Sequence, residues 1–291
     1  MEASPPSQKV MEKEKIDLIR EYYDKTGYMY RWFYTDKESL GLHYGFWDDN
    51  TISVKEALIN VYKEVRDLIN PKKGQLILDA GCGVGGASLW LAKNSEAKYE
   101  GVTISPNQLR QAISHAQKRG LEEKVSFSLM DYHKTDFPDA KFDAVFFIES
   151  SCYGNLNVVC GEMIRILKPG GKLIIADFSN PRSPSGTNEK KMVGYFCKGF
   201  KLPKWLTRED YLKAISGAGF KNISFEDKTI MIKKSVEDIY GKTLIVALPF
   251  LFLRLLGLIS KVEFENGFAT YSQKKLYDMG LFQYGIFSAK K

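Results

Sequence analysis

Gln75-Leu76-Ile77-Leu78-Asp79-Ala80-Gly81-Cys82-Gly83-Val84-Gly85-Gly86 reads as a strand, a carboxylate at its end, and a glycine turn that opens a helix. Leu76, Ile77 and Leu78 form an unbroken apolar run, the pattern of a parallel strand covered on both faces. Glycine lets the backbone turn sharply and lets a ligand approach it closely. Ala87-Ser88-Leu89-Trp90-Leu91-Ala92 continues as a helix.

Charge separates the ligands that such a turn could take. Gly81, Gly83 and Gly86 have the spacing of the dinucleotide fingerprint, which alone carries little weight. Asp79 beside the turn would repel a pyrophosphate but suits a ligand that carries an ammonium and a sulfonium. The arrangement Asp-x-Gly-x-Gly therefore favours S-adenosylmethionine over a nicotinamide dinucleotide, and over a strand-turn-helix that holds no ligand.

Outward from this turn, strand and helix alternate. Tyr99–Ile104 is the second strand, and Ser105, Pro106 and Gly120 bound the next helix as N-cap, first position and terminator. Val125–Leu129, Phe142–Ile148 and Lys172–Phe178 are the third to fifth strands. Short joints between them predict a doubly wound, mostly parallel sheet, seven-stranded once Lys221–Glu226 and Gln283–Ser288 close it. Ligands on such sheets sit at the carboxyl ends of the strands. That rule gathers Asp79, Thr103, Asp131, Glu149 and Asp177 on one edge.

The flanks are less regular. Residues 1–15 read as a disordered lead, and 16–70 as a helical and aromatic lid segment containing Tyr28, Tyr30, Trp32 and Phe46. Within it Ser53 and Glu56 have capping-box spacing. The ligand-binding core runs over 71–226, with Asn180–Leu206 as a long connection of the lid kind. Residues 227–282 form an apolar insertion and 283–291 return to the core. The run Leu244–Ile259 is interrupted by Pro249 and Arg254 and is short for a bilayer span. It reads as a buried helix, as a cap over a lipophilic substrate, or as a patch that rests on a membrane.

Bulk composition excludes little. The 291 residues, 44 % hydrophobic, suffice for a full core. The net charge of +7 comes from Lys and Arg scattered among Asp and Glu, a solvated surface rather than a nucleic-acid-binding block. Four cysteines without zinc-like or disulfide spacing read as reduced thiols of a cytoplasmic protein, membrane-associated if the apolar run touches lipid. No His/Asp/Glu cluster suggests a metal, and the sequence leaves the oligomeric state open.

With these motifs in place the sequence resembles the class I S-adenosylmethionine-dependent methyltransferases. It is most similar to the group of tocopherol methyltransferases, cyclopropane fatty acid synthases and the sterol C-methyltransferases that alkylate the sterol tail. The resemblance rests on Gly101-Val102-Thr103-Ile104-Ser105-Pro106-Asn107-Gln108, Glu149-Ser150-Ser151-Cys152-Tyr153 and Arg165-Ile166-Leu167-Lys168-Pro169-Gly170-Gly171. It implies cofactor contacts from Tyr22, Asp79, Gly81, Gly83, Thr103, Ile104, Gln108, Asp131, Tyr132 and Glu149. Ser105-x-x-Gln108 is also a capping box.

For the acceptor, the resemblance implies a small lipophilic molecule, a sterol or other isoprenoid methylated at carbon. Tyr28, Tyr30, Trp32, Phe46, Cys152, Tyr195 and Phe250 would bind it. The aromatic faces of Tyr28, Tyr30, Trp32 and Tyr153 would stabilise a carbocation, and Glu149 would take the proton, with His133 and His43 as other candidate bases. Alternatives are N- or O-methylation of a small amine, phenol or quinone, or a binding module without turnover. Where sterol enzymes read Tyr-Glu-Tyr-Gly-Trp-Gly, this protein has Tyr28-Met29-Tyr30-Arg31-Trp32-Phe33, and their His after the fourth-strand Cys is Tyr153.

Overall fold

The apolar strands line up as one sheet in the order β3-β2-β1-β4-β5-β7-β6. The computed structural model describes the backbone of residues 8–33 and 36–291, and the side chains of 16–30 and 36–291. Strands β1 (Leu76–Ala80), β2 (Lys98–Thr103), β3 (Val125–Leu129), β4 (Phe142–Ile148) and β5 (Leu167–Ser179) are parallel. Strand β7 (Gln283–Lys290) inserts antiparallel between β5 and β6 (Lys221–Asp227). The result is the seven-stranded, doubly wound sheet expected. The strand order reverses at β1/β4, where the central cleft of such a sheet opens.

Side-chain alternation builds two layers. Ile77, Phe146 and Ile174 face one core, shared with α2 (Val54–Ile69) and α3 (Gly86–Lys93). Leu78, Val145, Phe147, Leu173 and Ile175 face the other, covered by α5 (Leu156–Ile166) and α7 (Arg208–Gly217). Helix α4 (Pro106–Arg119) runs from Ser105, whose hydroxyl accepts from Gln108 N, to a left-handed Gly120. The two capping boxes expected from sequence form only by half. Glu56 accepts instead from Ile52 N, and Gln108 turns to Thr103. Complete boxes stand at Thr207/Asp210 and Ser260/Glu263.

Three expectations need correction. Helix α1 starts at Gln8 and runs to Phe33, so residues 8–15 are helical rather than a disordered lead. Gln8, Lys9, Met11, Glu12, Lys13, Glu14 and Lys15 are good helix formers; residues 1–7 lie outside the described residues. Asn180–Leu206 is not a loose connection, because α6 (Gly186–Phe200) occupies most of it. Met192 and Phe196, one turn apart, are buried; Phe196 packs on Trp205 (4.6 Å) and Phe282 (5.5 Å). Strand β5 also begins earlier than expected, taking in Lys168-Pro169-Gly170-Gly171. The insertion is a helical hairpin, α8 (Lys233–Leu255) and α9 (Lys261–Asp278).

Candidate active site

The ends of β1–β4 open onto one cleft of about 950 Å³. Asp79 closes one end of it. Its carboxylate is 3 % exposed and accepts from Ser88 Oγ at 2.7 Å. Burial pushes the Asp79 carboxyl up to about 7, with the Ser88 hydroxyl working against that rise. A cation arriving here would restore the charge that burial penalises.

The glycine turn shapes the floor. Gly81 (φ +88°) is pressed so closely on Ser150 that an added Cβ would lie 2.5 Å from the Ser150 Cβ. At Gly83 (φ +54°) an added Cβ would point into space, with nothing nearer than Leu42 Cδ1 at 3.6 Å. One glycine lets the backbone pass and the other leaves room for a ligand.

Further along, Thr103 Oγ1 donates to Gln108 Oε1 (2.8 Å) and accepts from Ser105 N (3.2 Å). This fixes the Gln108 amide at the cleft wall beside Ile104, whose carbonyl accepts from Arg20 Nε (2.9 Å). At the far end Asp131, which lines the cleft, accepts through Oδ1 from His133 N (2.9 Å) and His133 Nδ1 (2.7 Å), which leaves Oδ2 outside these bonds. Burial alone would raise the Asp131 carboxyl, but those bonds hold it below its ordinary range. Tyr132 donates to Ser150 O (2.7 Å) and stacks on the His133 ring.

Glu149 links this cleft to a second, smaller chamber. It sits at φ +48°, a left-handed conformation that costs a non-glycine residue about 1–3 kcal/mol. Its Oε1 accepts from Tyr44 N at 2.7 Å. Burial, then the nearby Asp177 charge, push its carboxyl well above the ordinary range. The chamber walls are Tyr23, Tyr30, Tyr44, Tyr153, Phe178 and Phe200, with Gln273 and Thr270 from α9. Gln273 Oε1 accepts from Tyr44 Oη, while its Nε2 is buried without a partner. No Lys or Arg lines either space among the described residues.

The histidines part company. His133 Nδ1 donates to Asp131 and its Nε2 accepts from Asn155 N (3.0 Å), so both ring nitrogens are committed at the far end of the cleft. His133 is therefore a poor proton acceptor, against expectation. His43 does lie at the junction of the two spaces. Its Nδ1 donates to Tyr44 O (2.8 Å), its Nε2 is buried without a partner, and burial lowers its ring to about 4.

Tertiary packing sorts the remaining expected residues. Gly81, Gly83, Thr103, Ile104, Gln108, Asp131, Tyr132 and Glu149 line the cleft as expected, and Tyr153 and Tyr30 line the chamber. Tyr22 does not line the cleft; it is fully buried and accepts from Asn266 Nδ2 (2.8 Å), while its neighbour Tyr23 faces the ligand space. Adjacent helical residues point about 100° apart, which is why the choice fell one residue off. Tyr28 faces outward and donates to Glu263 (2.5 Å). Phe46 is core, edge-on to Tyr284, and Tyr44 takes the place expected of it.

Cys152 is buried behind the wall, its N–H donating to Asp177 (3.0 Å). Asp177, fully buried, binds that loop and does not line the cleft. Burial pushes its carboxyl to about 6. Tyr195 packs on Phe268 outside the chamber, and Phe250 lines a separate groove between α8 and α9. The side chain of Trp32 lies outside the described residues. Tyr23, Leu42, Tyr44, Phe200 and Gln273 were missed. The aromatic density around Tyr44 was a usable signal for that residue; nothing local marks Gln273.

The donor set fits S-adenosylmethionine: a buried carboxylate for its cationic end, Thr103 and Gln108 for hydroxyls, and Asp131 Oδ2 for an amino group. Among the described residues no Lys or Arg lines the cleft to neutralise a pyrophosphate. Among the described residues no cluster of His, Cys, Asp and Glu could hold a metal ion.

Comparison with known proteins agrees. The family profile of methyltransferase domains matches residues 71–235. Methyltransferase GfsG of Streptomyces halstedii is 35 % identical over 162 residues, 55 % of this protein and 57 % of that one. The chloroplastic tocopherol O-methyltransferase of Arabidopsis thaliana is 30 % identical over 227 residues, 72 % of this protein and 64 % of that one. The chain thus spans less than two thirds of either relative. Among solved structures, the cyclopropane synthase MmaA2 from Mycobacterium tuberculosis superimposes with a TM-score of 0.82 at 14 % identity, over 95 % of this protein and 98 % of that one, a likeness of fold.

Proposed function

The protein belongs to the family of methyltransferase domains, and from that premise we propose that it transfers a methyl group from S-adenosylmethionine to a carbon of a small, uncharged, lipophilic acceptor of the sterol or isoprenoid kind. The observation that carries this reading is Glu149, seated where the cofactor cleft meets a chamber walled by tyrosine and phenylalanine.

S-adenosylmethionine, when bound, supplies an electrophilic methyl group that needs no further activation. Asp79, Thr103, Gln108 and Asp131 bind and orient it. The chamber holds the acceptor in line, and such positioning supplies roughly 7–11 kcal/mol in favourable cases. The rings of Tyr23, Tyr30 and Tyr153 offer π faces to positive charge that develops on an alkene acceptor. Glu149 Oε2, opposite the oxygen held by Tyr44 N, takes the proton that the methylated carbon then releases. To take that proton Glu149 must stand ionised, and the positive charge of a bound S-adenosylmethionine would favour the ionised form. Among the described residues no Lys or Arg lines the chamber, which favours an uncharged acceptor over a phosphorylated one.

A second reading, O-methylation of a phenol, draws on Gln273. Its buried Nε2 is positioned to donate to an acceptor oxygen. One experiment separates the two: incubation with methyl-labelled S-adenosylmethionine and a panel of sterols, prenyl compounds, phenols and amines, with the methylated atom located by NMR. Label on carbon supports the proposal. Label only on oxygen, on nitrogen or on phosphorylated acceptors overturns it.

A further inference from the structure

Helix α8 lies against the domain on one side only. Thr243, Val246, Phe250 and Leu253 turn toward α9 and are the less exposed positions of its second half. On the opposite face Ile245, Leu248, Phe252, Leu255 and Leu256 are 56–78 % exposed, and Leu258 in the following turn is 71 % exposed. At 100° per residue the four helical positions fall on a single stripe, which Leu256 at the helix C-cap continues. Six large apolar side chains, each more than half exposed, form the kind of contiguous patch that marks an interaction surface.

Two further features say what covers this face. From Ile239 to Val262 the sequence has no Asp or Glu but carries Lys242, Arg254 and Lys261, so the charge of this segment is positive; Arg254 is half-buried and donates to Ile259 O (3.2 Å), and Glu263 is the next acid. Beside it the groove between α8 and α9, about 980 Å³ and lined mainly by apolar side chains, includes the half-exposed Leu244, Leu251 and Phe268. Among the described residues no helix is long and apolar enough to cross a membrane. An apolar stripe on a segment whose only charges are basic matches an element that lies in the headgroup boundary of an anionic bilayer.

We infer that the α8–α9 hairpin is a docking surface for an anionic lipid bilayer, with the stripe seated among the acyl tails and the basic side chains among the headgroups. The inference does not depend on the acceptor proposed above. It places the groove at the lipid surface, within reach of an apolar molecule held there.

The test is flotation of the full-length protein with vesicles of phosphatidylcholine, with and without phosphatidylglycerol, at low and high salt. The protein should float with the anionic vesicles at low salt and much less with neutral vesicles or at high salt. The double variant Leu248→Glu/Leu255→Glu should lose about tenfold or more in partitioning. Its melting temperature and affinity for S-adenosylhomocysteine should not change, since both positions are exposed and neither lines the active site. Failure of the wild type to float with anionic vesicles overturns the inference, as does equal flotation of the variant or equal flotation with neutral vesicles. A dimer in sedimentation velocity that the variant dissociates, without flotation, would assign the face to a second copy instead.

Discussion

The buried Asp79 carboxyl makes cofactor affinity depend on pH in a direction that can be worked out beforehand. In the ligand-free protein it titrates at about 7 because burial penalises its charge. A cationic ligand binds the ionised form, so affinity should be flat above pH 8 and fall about tenfold per unit below 7. Between pH 8 and pH 5 the loss is about 100-fold, or about 2.7 kcal/mol at 1.36 kcal/mol per unit.

The same shift has a mirror image in stability. The folded protein keeps this proton between about pH 4 and pH 7 while the unfolded one has released it. Ligand-free stability should therefore fall as pH rises through that window, by on the order of 4 kcal/mol from this group, and ligand should restore it. Titration calorimetry with S-adenosylhomocysteine and thermal melts over pH 5–8 measure both. Asp131, held below its ordinary range, does not titrate in this window. Glu149 and Asp177 are also raised, so the comparison is wild type against Asp79→Asn and Glu149→Gln. Asp79→Asn should flatten the affinity profile and lessen the fall in stability, the remainder of which comes from Glu149 and Asp177, and Glu149→Gln should leave most of the affinity slope. An affinity for S-adenosylhomocysteine that does not change from pH 5 to pH 8 in the wild type would refute the reasoning.

Four other outcomes are expected. Glu149→Gln should lower kcat by about 10²–10⁴-fold, the range of a lost proton acceptor, with cofactor affinity within a few-fold by calorimetry. His133→Ala should weaken cofactor binding through Asp131 yet leave kcat at saturating cofactor close to wild type; a collapse of kcat would return His133 to the proton transfer. Gln273→Leu should raise KM for an oxygen-bearing acceptor about tenfold, since one buried hydrogen bond is worth about 1–1.5 kcal/mol, and leave KM for a hydrocarbon acceptor unchanged. Gly81→Ala puts a Cβ against Ser150 at φ +88°; it should cost at least about 2 kcal/mol, read as a drop of several degrees in melting temperature.

The fold and the cofactor cleft were legible because their signals are local. Strand ends, glycine turns and the Ser105–Pro106 helix start are written within a few residues, and the rule that ligands sit at strand ends did the rest. The acceptor side was read less well. Phe46 for Tyr44 is two positions off, on a segment where nearly every residue is apolar or aromatic and no polar face sets the rotation; Tyr22 for Tyr23 is one position off, where two tyrosines stand side by side on a helix.

By itself the sequence determined that an acid stands beside a glycine bend at the end of a central strand, and hence that the cleft suits a cationic nucleoside. Only the tertiary structure decided which aromatic rings wall the second chamber, that Gln273 reaches it from more than a hundred residues beyond Glu149, and that His133 is tied down while His43 stands at the junction. It alone decided, too, that α8 keeps one apolar face in the open. The physical reason is range: a turn is settled by its own neighbours, whereas the facing of an apolar helix is settled by whatever packs against it.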